Sequence, residues 1–330
     1  MTGRGQRRAV VFGGTRMLGR NVVAQAVSAG WNVTVLNRGS TPPGGFPPGV
    51  AHVRADRADW AAVRSLAESE PDVVIDLSSY EPGHVEIALD AFAARCGSYL
   101  LMSSGSIYIP QPLLPWDEDV PVGPVGLWGE YGRKKAENER LAQRWADRLP
   151  ITVLRPPYVL GAGDHMRRLE FILERLSAGA TIFLPDTGNA CIQFAAATDV
   201  AAACVHLAGA RQPDGLAALN VAPPEFTTLT GLVELAAAEL GVEPSVEPVP
   251  LARIGLSNAP FSWADMVFPF ADSHFVLDGR RLEATGFRYR TSLRALVSDA
   301  VARFRARPGD QPLERYPSEL RALDRIGQTA

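Results

Sequence analysis

Arg8-Ala9-Val10-Val11-Phe12-Gly13-Gly14-Thr15-Arg16-Met17-Leu18-Gly19 is the stretch from which the fold can be read. Arg8 to Phe12 is a short apolar run that stops at two glycines, the pattern of a strand buried in a parallel sheet. Met17 to Ala29 continues as a helix, with Gly30 placed to cap it. Glycines at such a turn let backbone N–H groups approach a pyrophosphate, and the helix N-terminus adds a favourable dipole. Gly19 allows close packing of helix on strand. A glycine-rich string alone is a weak signal; its place in the first unit of a repeating strand–helix pattern makes it a dinucleotide site.

That repeat continues outward. Asn32 to Asn37 (NVTVLN) is β-branched and alternating, hence a second strand, and the Pro- and Gly-rich stretch 38–49 is a loop. A strand at Val53 precedes a helix near Trp60 to Glu68, and Asp72 to Leu77 precedes a helix near His84 to Arg95. Ser98 to Ser103 is a fifth strand, followed by a helix over Tyr131 to Arg148 and a sixth strand at Ile151 to Arg155. Strands alternating with helices predict an α/β fold, a Rossmann-type doubly wound parallel sheet, with a smaller C-terminal substrate lobe. The expected division is residues 8–164 plus about 190–222 for the dinucleotide domain and about 165–189 plus 223–310 for the lobe. Residues 311–330 read as a loosely held polar tail. Asp199 reads as the N-cap of a helix over Val200 to Leu207, and the aromatic stretch Phe261 to Phe275 as a lid or an oligomer contact.

Bulk properties narrow the function. The chain has 330 residues, 46% hydrophobic and 21% charged, with net charge −3, so nothing pulls it strongly toward nucleic acid or an anionic membrane. Three separated cysteines without a CxxC pair fit a reduced compartment. The apolar run after the basic opening is too short for a signal segment or a span, so the cytoplasm is the expected location. Five histidines show no metal-ligand spacing, and no metal site is expected.

The end of the second strand speaks to the cofactor. A carboxylate about 20 positions beyond the glycines would bind the adenosine ribose of NAD. Here stand Asn37 and Arg38, and Arg38 together with Arg16 could clamp a 2′-phosphate, unless both are simply solvated. NADP(H) is therefore expected, with NAD left open. Asp56 is a candidate to bind the adenine amino group, or else a helix cap.

Tyr131 and Lys135 lie four residues apart on one face of a predicted helix. An ammonium beside a phenol favours the phenolate, and a tyrosine so placed can act as acid or base near neutrality. Lys134 is one position off that face. Ser104 follows the fifth strand, at the edge where such sheets present reacting groups, and can hydrogen-bond a substrate oxygen. Ser103 and Ser106 are substitutes for it.

In these residues the sequence resembles the extended short-chain dehydrogenase/reductase family, which includes sugar-nucleotide epimerases and dehydratases. The resemblance rests on GGTRMLG at 13–19, DVVIDLSSY at 72–80, MSSGSIY at 102–108, YGRKKAENE at 131–139, LRPPYVLGAGD at 154–164 and QFAAATDVA at 193–201. It implies a Ser104–Tyr131–Lys135 site, with Lys135 also holding the nicotinamide ribose. It also places Gly13, Gly14, Thr15, Arg16, Met17, Leu18, Gly19, Leu77, Ser78, Ser79, Ser103, Pro156 and Pro157 along the cofactor. Two departures stand out. Arg16 replaces the second glycine of GxxGxxG, and Gly105-Ser106 replaces the Asp-Glu pair of sugar 4,6-dehydratases, so elimination of water is not expected. The GGTR variant and Phe268 to Phe275 are also similar to the chloroplast stem-loop RNA-binding branch, whose function would need a basic surface.

Tyr80, Trp128, Tyr158, Gln193, Phe194 and Trp263 are the further candidates to line a substrate pocket between sheet edge and lobe. The expected function is NADP(H)-dependent reduction or epimerisation at a carbinol or keto carbon of a sugar nucleotide or sugar-like metabolite. Its partner is a small-molecule substrate, with a homodimer left open. The rival readings are an RNA-binding protein on this fold and an NADP(H)-sensing regulator without turnover.

Overall fold

The computed structural model describes residues 6–39, 45–210, 214–256, 266–307 and 313–329. Seven strands form one sheet: β1 (Arg8–Phe12), β2 (Asn32–Asn37), β3 (Ala51–Arg54), β4 (Val73–Asp76), β5 (Tyr99–Met102), β6 (Ile151–Arg155) and β10 (Leu216–Asn220). Their spatial order is β10-β6-β5-β4-β1-β2-β3, and every pairing is parallel. The central strands are apolar because both faces are covered. On one face α1 (Met17–Ser28) and α6 (Ala197–Gly209) bury Val22, Val23, Ala26, Val200, Cys204 and Leu207. On the other, α2 (Trp60–Ala67), α3 (Pro82–Phe92) and α4 (Gly129–Ala142) bury Val63, Leu66, Val85, Leu89, Phe92 and Leu141.

The lobe is built from α5 (Arg168–Ser177), α7 (Leu229–Leu240), α9 (Leu293–Arg305) and short strand groups. In one group β7 (Tyr158–Leu160) runs parallel to β9 (Cys191–Ala196), which pairs antiparallel with β11 (Phe226–Thr228). In the other, β8 (Ile182–Pro185) pairs with β12 (Val246–Val249). The short α8 (Arg280–Ala284) returns the chain to the edge strand β10.

Three expectations need correction. The tail is not loose: α10 (Pro317–Thr329) docks on the lobe with Ser318 and Glu319 fully buried. The Glu319 carboxylate accepts from Arg175 Nε at 2.7 Å and Nη2 at 2.5 Å, a two-point pair between side chains that a polarity reading places outside. Asp199 does not cap α6, whose N-cap is Ala196; its Oδ2 instead accepts from the backbone N–H groups of Arg290 and Thr291, tying lobe to sheet. Of the aromatic stretch, Met266, Phe268, Phe270 and Phe275 are lobe core, not lid. Positions 261–265, including Trp263, lie outside the described residues.

Candidate active site

The sheet order reverses between β1 and β4, and ligands of open α/β sheets bind outside the carboxyl ends at such a reversal. A cavity of about 800 Å³ opens there, and it holds nearly all the residues singled out from sequence. Along its floor run Gly13 to Gly19. Gly13 and Gly14 have φ of +102° and +109°, backbone that a side chain would strain. A Cβ on Gly19 would stand 2.4 Å from Gly14 N, so only glycine lets α1 start directly against the turn. No side chain caps α1, which leaves its first N–H groups free for a pyrophosphate. Gly19→Ala is accordingly expected to destabilise the fold by about 1–3 kcal/mol and to weaken dinucleotide binding. Denaturant melts and a cofactor titration measure the two effects.

At the adenosine end Asn37, Arg38, Asp56 and Arg57 line the cavity. Arg16 and Arg38 are exposed, and no carboxylate pairs with either among the described residues. Asp59 caps α2, accepting from Ala61 and Ala62 N–H, so Asp56 is not needed as the helix cap. Its carboxylate closes a local turn with Ala58 N–H at 2.9 Å, and the residue lines the cavity.

At the other end Leu77, Ser78, Ser103, Pro156 and Pro157 line the wall with Ser104, Tyr131 and Lys135. Ser104 heads a short turn of helix, its Oγ accepting from Ser106 N–H at 3.2 Å, and it shares the cavity wall with Tyr131. Ser103 and Ser106 have no such bond; both hydroxyls are buried without a partner. The Tyr131 side chain reaches into the cavity, the residue 45% exposed there. Burial and the neighbouring Tyr80 push it up to about 12, against the lowering effect of Ser104 and Arg168.

Lys135 lies below, its Nζ 5.9 Å from the Tyr131 ring centre and 5.1 Å from that of Tyr80. It donates to Met102 O at 2.8 Å and Ser79 Oγ at 3.1 Å. Burial takes it down to about 8, against the opposing pull of Asp76 and Glu139. Its hydrogen bonds thus go to Ser79 and Met102 and not to the Tyr131 phenol. Ser79 itself does not face the cavity. It is fully buried, donates to Met102 O, and props Lys135 rather than touching a cofactor directly. Lys134 points away and pairs with Glu81.

Tyr80, Trp128 and Tyr158 are also on the cavity wall, joined by Phe275, His165 and Arg168. Trp128, Tyr158 and Phe275 meet edge to face or tilted at 5.3–5.8 Å between ring centres, a rigid aromatic wall. Gln193 and Phe194 are not on it. Gln193 is buried in the lobe, donating to Pro223 O and Leu277 O and accepting from Leu277 N–H; Phe194 packs behind Tyr158 and Phe270. Arg168 is buried against Asp164, with Nε 3.0 Å from Oδ2.

One buried polar cluster beside the cavity is not among the residues singled out from sequence. Arg57 holds Asp76 through two parallel bonds of 2.6 and 2.7 Å, lies over the Phe12 ring, and donates to Ser78 Oγ at 2.9 Å. Tyr99 donates to the same carboxylate at 2.7 Å. Burial pushes the Asp76 carboxyl up, and Arg57, Tyr99 and the Ser78 N–H more than reverse that, holding it below the usual range. The signal was there: Asp76 ends an otherwise wholly apolar strand.

A model of the NAD dependent epimerase/dehydratase family matches residues 9–222, and the chain belongs to that family. It is an enzyme of the short-chain dehydrogenase/reductase type, an oxidoreductase or NAD(P)-dependent epimerase. Two relatives and one solved structure place it further. It is 28% identical to the chloroplast stem-loop binding protein of 41 kDa b from Arabidopsis thaliana, over 82% of this chain and 71% of that one. It is 31% identical to 2′-dehydrokanamycin reductase of Streptomyces kanamyceticus, over 61% of this chain and 57% of that protein's length. The fold is similar to that of the UDP-glucose 4-epimerase of Thermus thermophilus in complex with NAD, at 21% identity and TM-score 0.71, covering 91% and 99% of the two chains. No described helix is long and apolar enough to cross a membrane.

Proposed function

We propose that the chain is an NADP(H)-dependent reductase acting on a keto carbon of a sugar or sugar-like metabolite. The observation that carries this reading is the gathering of Ser104, Tyr131 and Lys135 on one wall of a cavity that also takes in a glycine turn, with Lys135 Nζ 5.9 Å from the Tyr131 ring centre. The glycine cradle and the uncapped N-terminus of α1 fit a dinucleotide pyrophosphate, and Asn37, Arg38 and Arg16 fit a 2′-phosphate better than a bare ribose. When bound, the reduced nicotinamide supplies the hydride. Ser104 holds the substrate oxygen and Tyr131 gives it a proton as negative charge builds there, so hydride and proton together make the alcohol. A phenol pushed up to about 12 stays protonated at neutral pH, the state reduction requires. Lys135 would hold the nicotinamide ribose hydroxyls. The aromatic wall of Trp128, Tyr158 and Phe275 offers a face on which the C–H side of a sugar ring can stack.

NADP(H) use favours net reduction over epimerisation, because an epimerase returns its hydride and gains nothing from an exchangeable reductant. The relative named as a reductase of 2′-dehydrokanamycin supports the same direction. We place the protein in the cytoplasm and leave a homodimer as a proposal. The test is NADPH oxidation across a panel of keto sugars, followed against pH. Expected is turnover with at least one of them, with kcat/KM falling as pH rises through about 8, where Lys135 gives up its proton. Absence of turnover together with tightly retained NAD would sink the reductase reading.

A further inference from the structure

Asn37 closes β2 at the adenosine end of the cavity, and its carboxamide is held in one orientation. Its Oδ1 takes the Gly39 N–H at 2.8 Å and meets His52 Nε2 at 3.2 Å. An amide oxygen only accepts, so the second contact requires the His52 proton on Nε2. The Gly39 N–H, a donor, rules out the flipped amide. The other end of the group, Nδ2, is buried with no partner among the described residues, in a side chain that lines the cavity. His52 is in turn fixed: it sits on β3 opposite Val35, and its ring meets Phe46 edge to face at 5.1 Å.

A buried N–H without an acceptor is unfavourable until an acceptor arrives. At this position a ribose 2′-hydroxyl can both donate and accept, and NAD sites meet its O–H with a carboxylate, whereas a 2′-phosphate offers only oxygens that accept and so depends on donors. Resting on the NADP(H) reading above, we propose that His52 is a specificity-determining residue. By occupying Asn37 Oδ1 it turns the amide NH₂ toward the cofactor as a donor to the 2′-phosphate, so that the site selects NADP(H) over NAD(H). Arg54, two residues on along β3, adds a cation beside it, its side chain 3.4 Å from where a Cβ on Gly39 would stand.

The experiment titrates the full chain with NADPH and with NADH for the wild type and for His52→Phe, His52→Gln and Asn37→Asp. A wild type that binds NADPH no more tightly than NADH overturns the NADP(H) reading and this inference with it. With that preference in place, His52→Phe keeps a ring against Phe46 but loses the donor. It is expected to lower the NADPH-to-NADH affinity ratio about tenfold while NADH binding stays as it was. His52→Gln, which restores a donor, is expected to hold most of the ratio. An unchanged ratio in His52→Phe, or equal loss for both cofactors, removes His52 from the selection and leaves the NADPH preference standing. Asn37→Asp offers no donor and repels a phosphate, so it is expected to invert the preference; if it retains NADPH selectivity, the amide is not the contact and the proposal fails.

Discussion

Tyr131→Phe is expected to lower turnover by about 10²- to 10⁴-fold while leaving NADPH affinity and folding unchanged. The substitution removes one oxygen, on the cavity wall it shares with Ser104, and keeps the ring against which Lys135 is set. Lys135 loses nothing directly, because its hydrogen bonds go to Met102 O and Ser79 Oγ. The effect should therefore appear in kcat and kcat/KM together, the mark of an interaction made only as charge develops on the substrate oxygen. Steady-state rates with a turned-over keto sugar and a fluorescence titration with NADPH read the two halves. The same variant separates the rival functions. A relative named for stem-loop binding raises RNA binding on this fold as an alternative, and a sensor of NADP(H) is another. In either of these the Tyr131→Phe substitution would change binding little and there would be no turnover to lose.

How much of this was legible follows from what each signal depends on. The β1–glycine–α1 unit is local: a buried apolar run, two positive-φ glycines and a third against which nothing but hydrogen fits, all within twelve residues. Ser104, Tyr131 and Lys135 were legible because they combine a helical spacing with a strand end, and topology does the rest. Gln193 and Phe194 were misplaced because β9 puts both into the lobe interior, a consequence of pairing with β7 and β11 that local sequence does not show. The tail was misread for a related reason. Arg175 and Glu319 each suggest solvent, and only their meeting across 144 positions makes their burial possible. Arg57 escaped notice in the same way, since it follows β3 while its partner Asp76 ends β4, and the pair exists only once β3, β2, β1 and β4 lie side by side.

That pair carries the second large effect. Asp76→Ala leaves the Arg57 guanidinium buried without its carboxylate and is expected to destabilise the fold by about 3–5 kcal/mol, a large part of the roughly 5–15 kcal/mol that holds a domain together. The denaturant midpoint should fall accordingly. Replacing both partners by apolar residues, Arg57→Met with Asp76→Leu, should recover most of that stability, because the penalty of the single variant is the uncompensated charge and not the lost bond. Function should not recover with it. Arg57 also donates to Ser78 Oγ on the cavity wall, and Asp76 accepts from Ser78 N–H at 3.1 Å, so the pair sets the loop that leaves β4 toward Ser79 and Tyr80. Ser79 props Lys135, and Asp76 raises the Lys135 pKa against the lowering effect of burial. With Asp76 and Arg57 both gone, one raising and one lowering influence are removed together, and the loop loses its anchor. A double variant that folds normally yet binds NADPH weakly would assign the pair to the site. One that is stable and fully active would reduce it to a structural pair at the end of a strand.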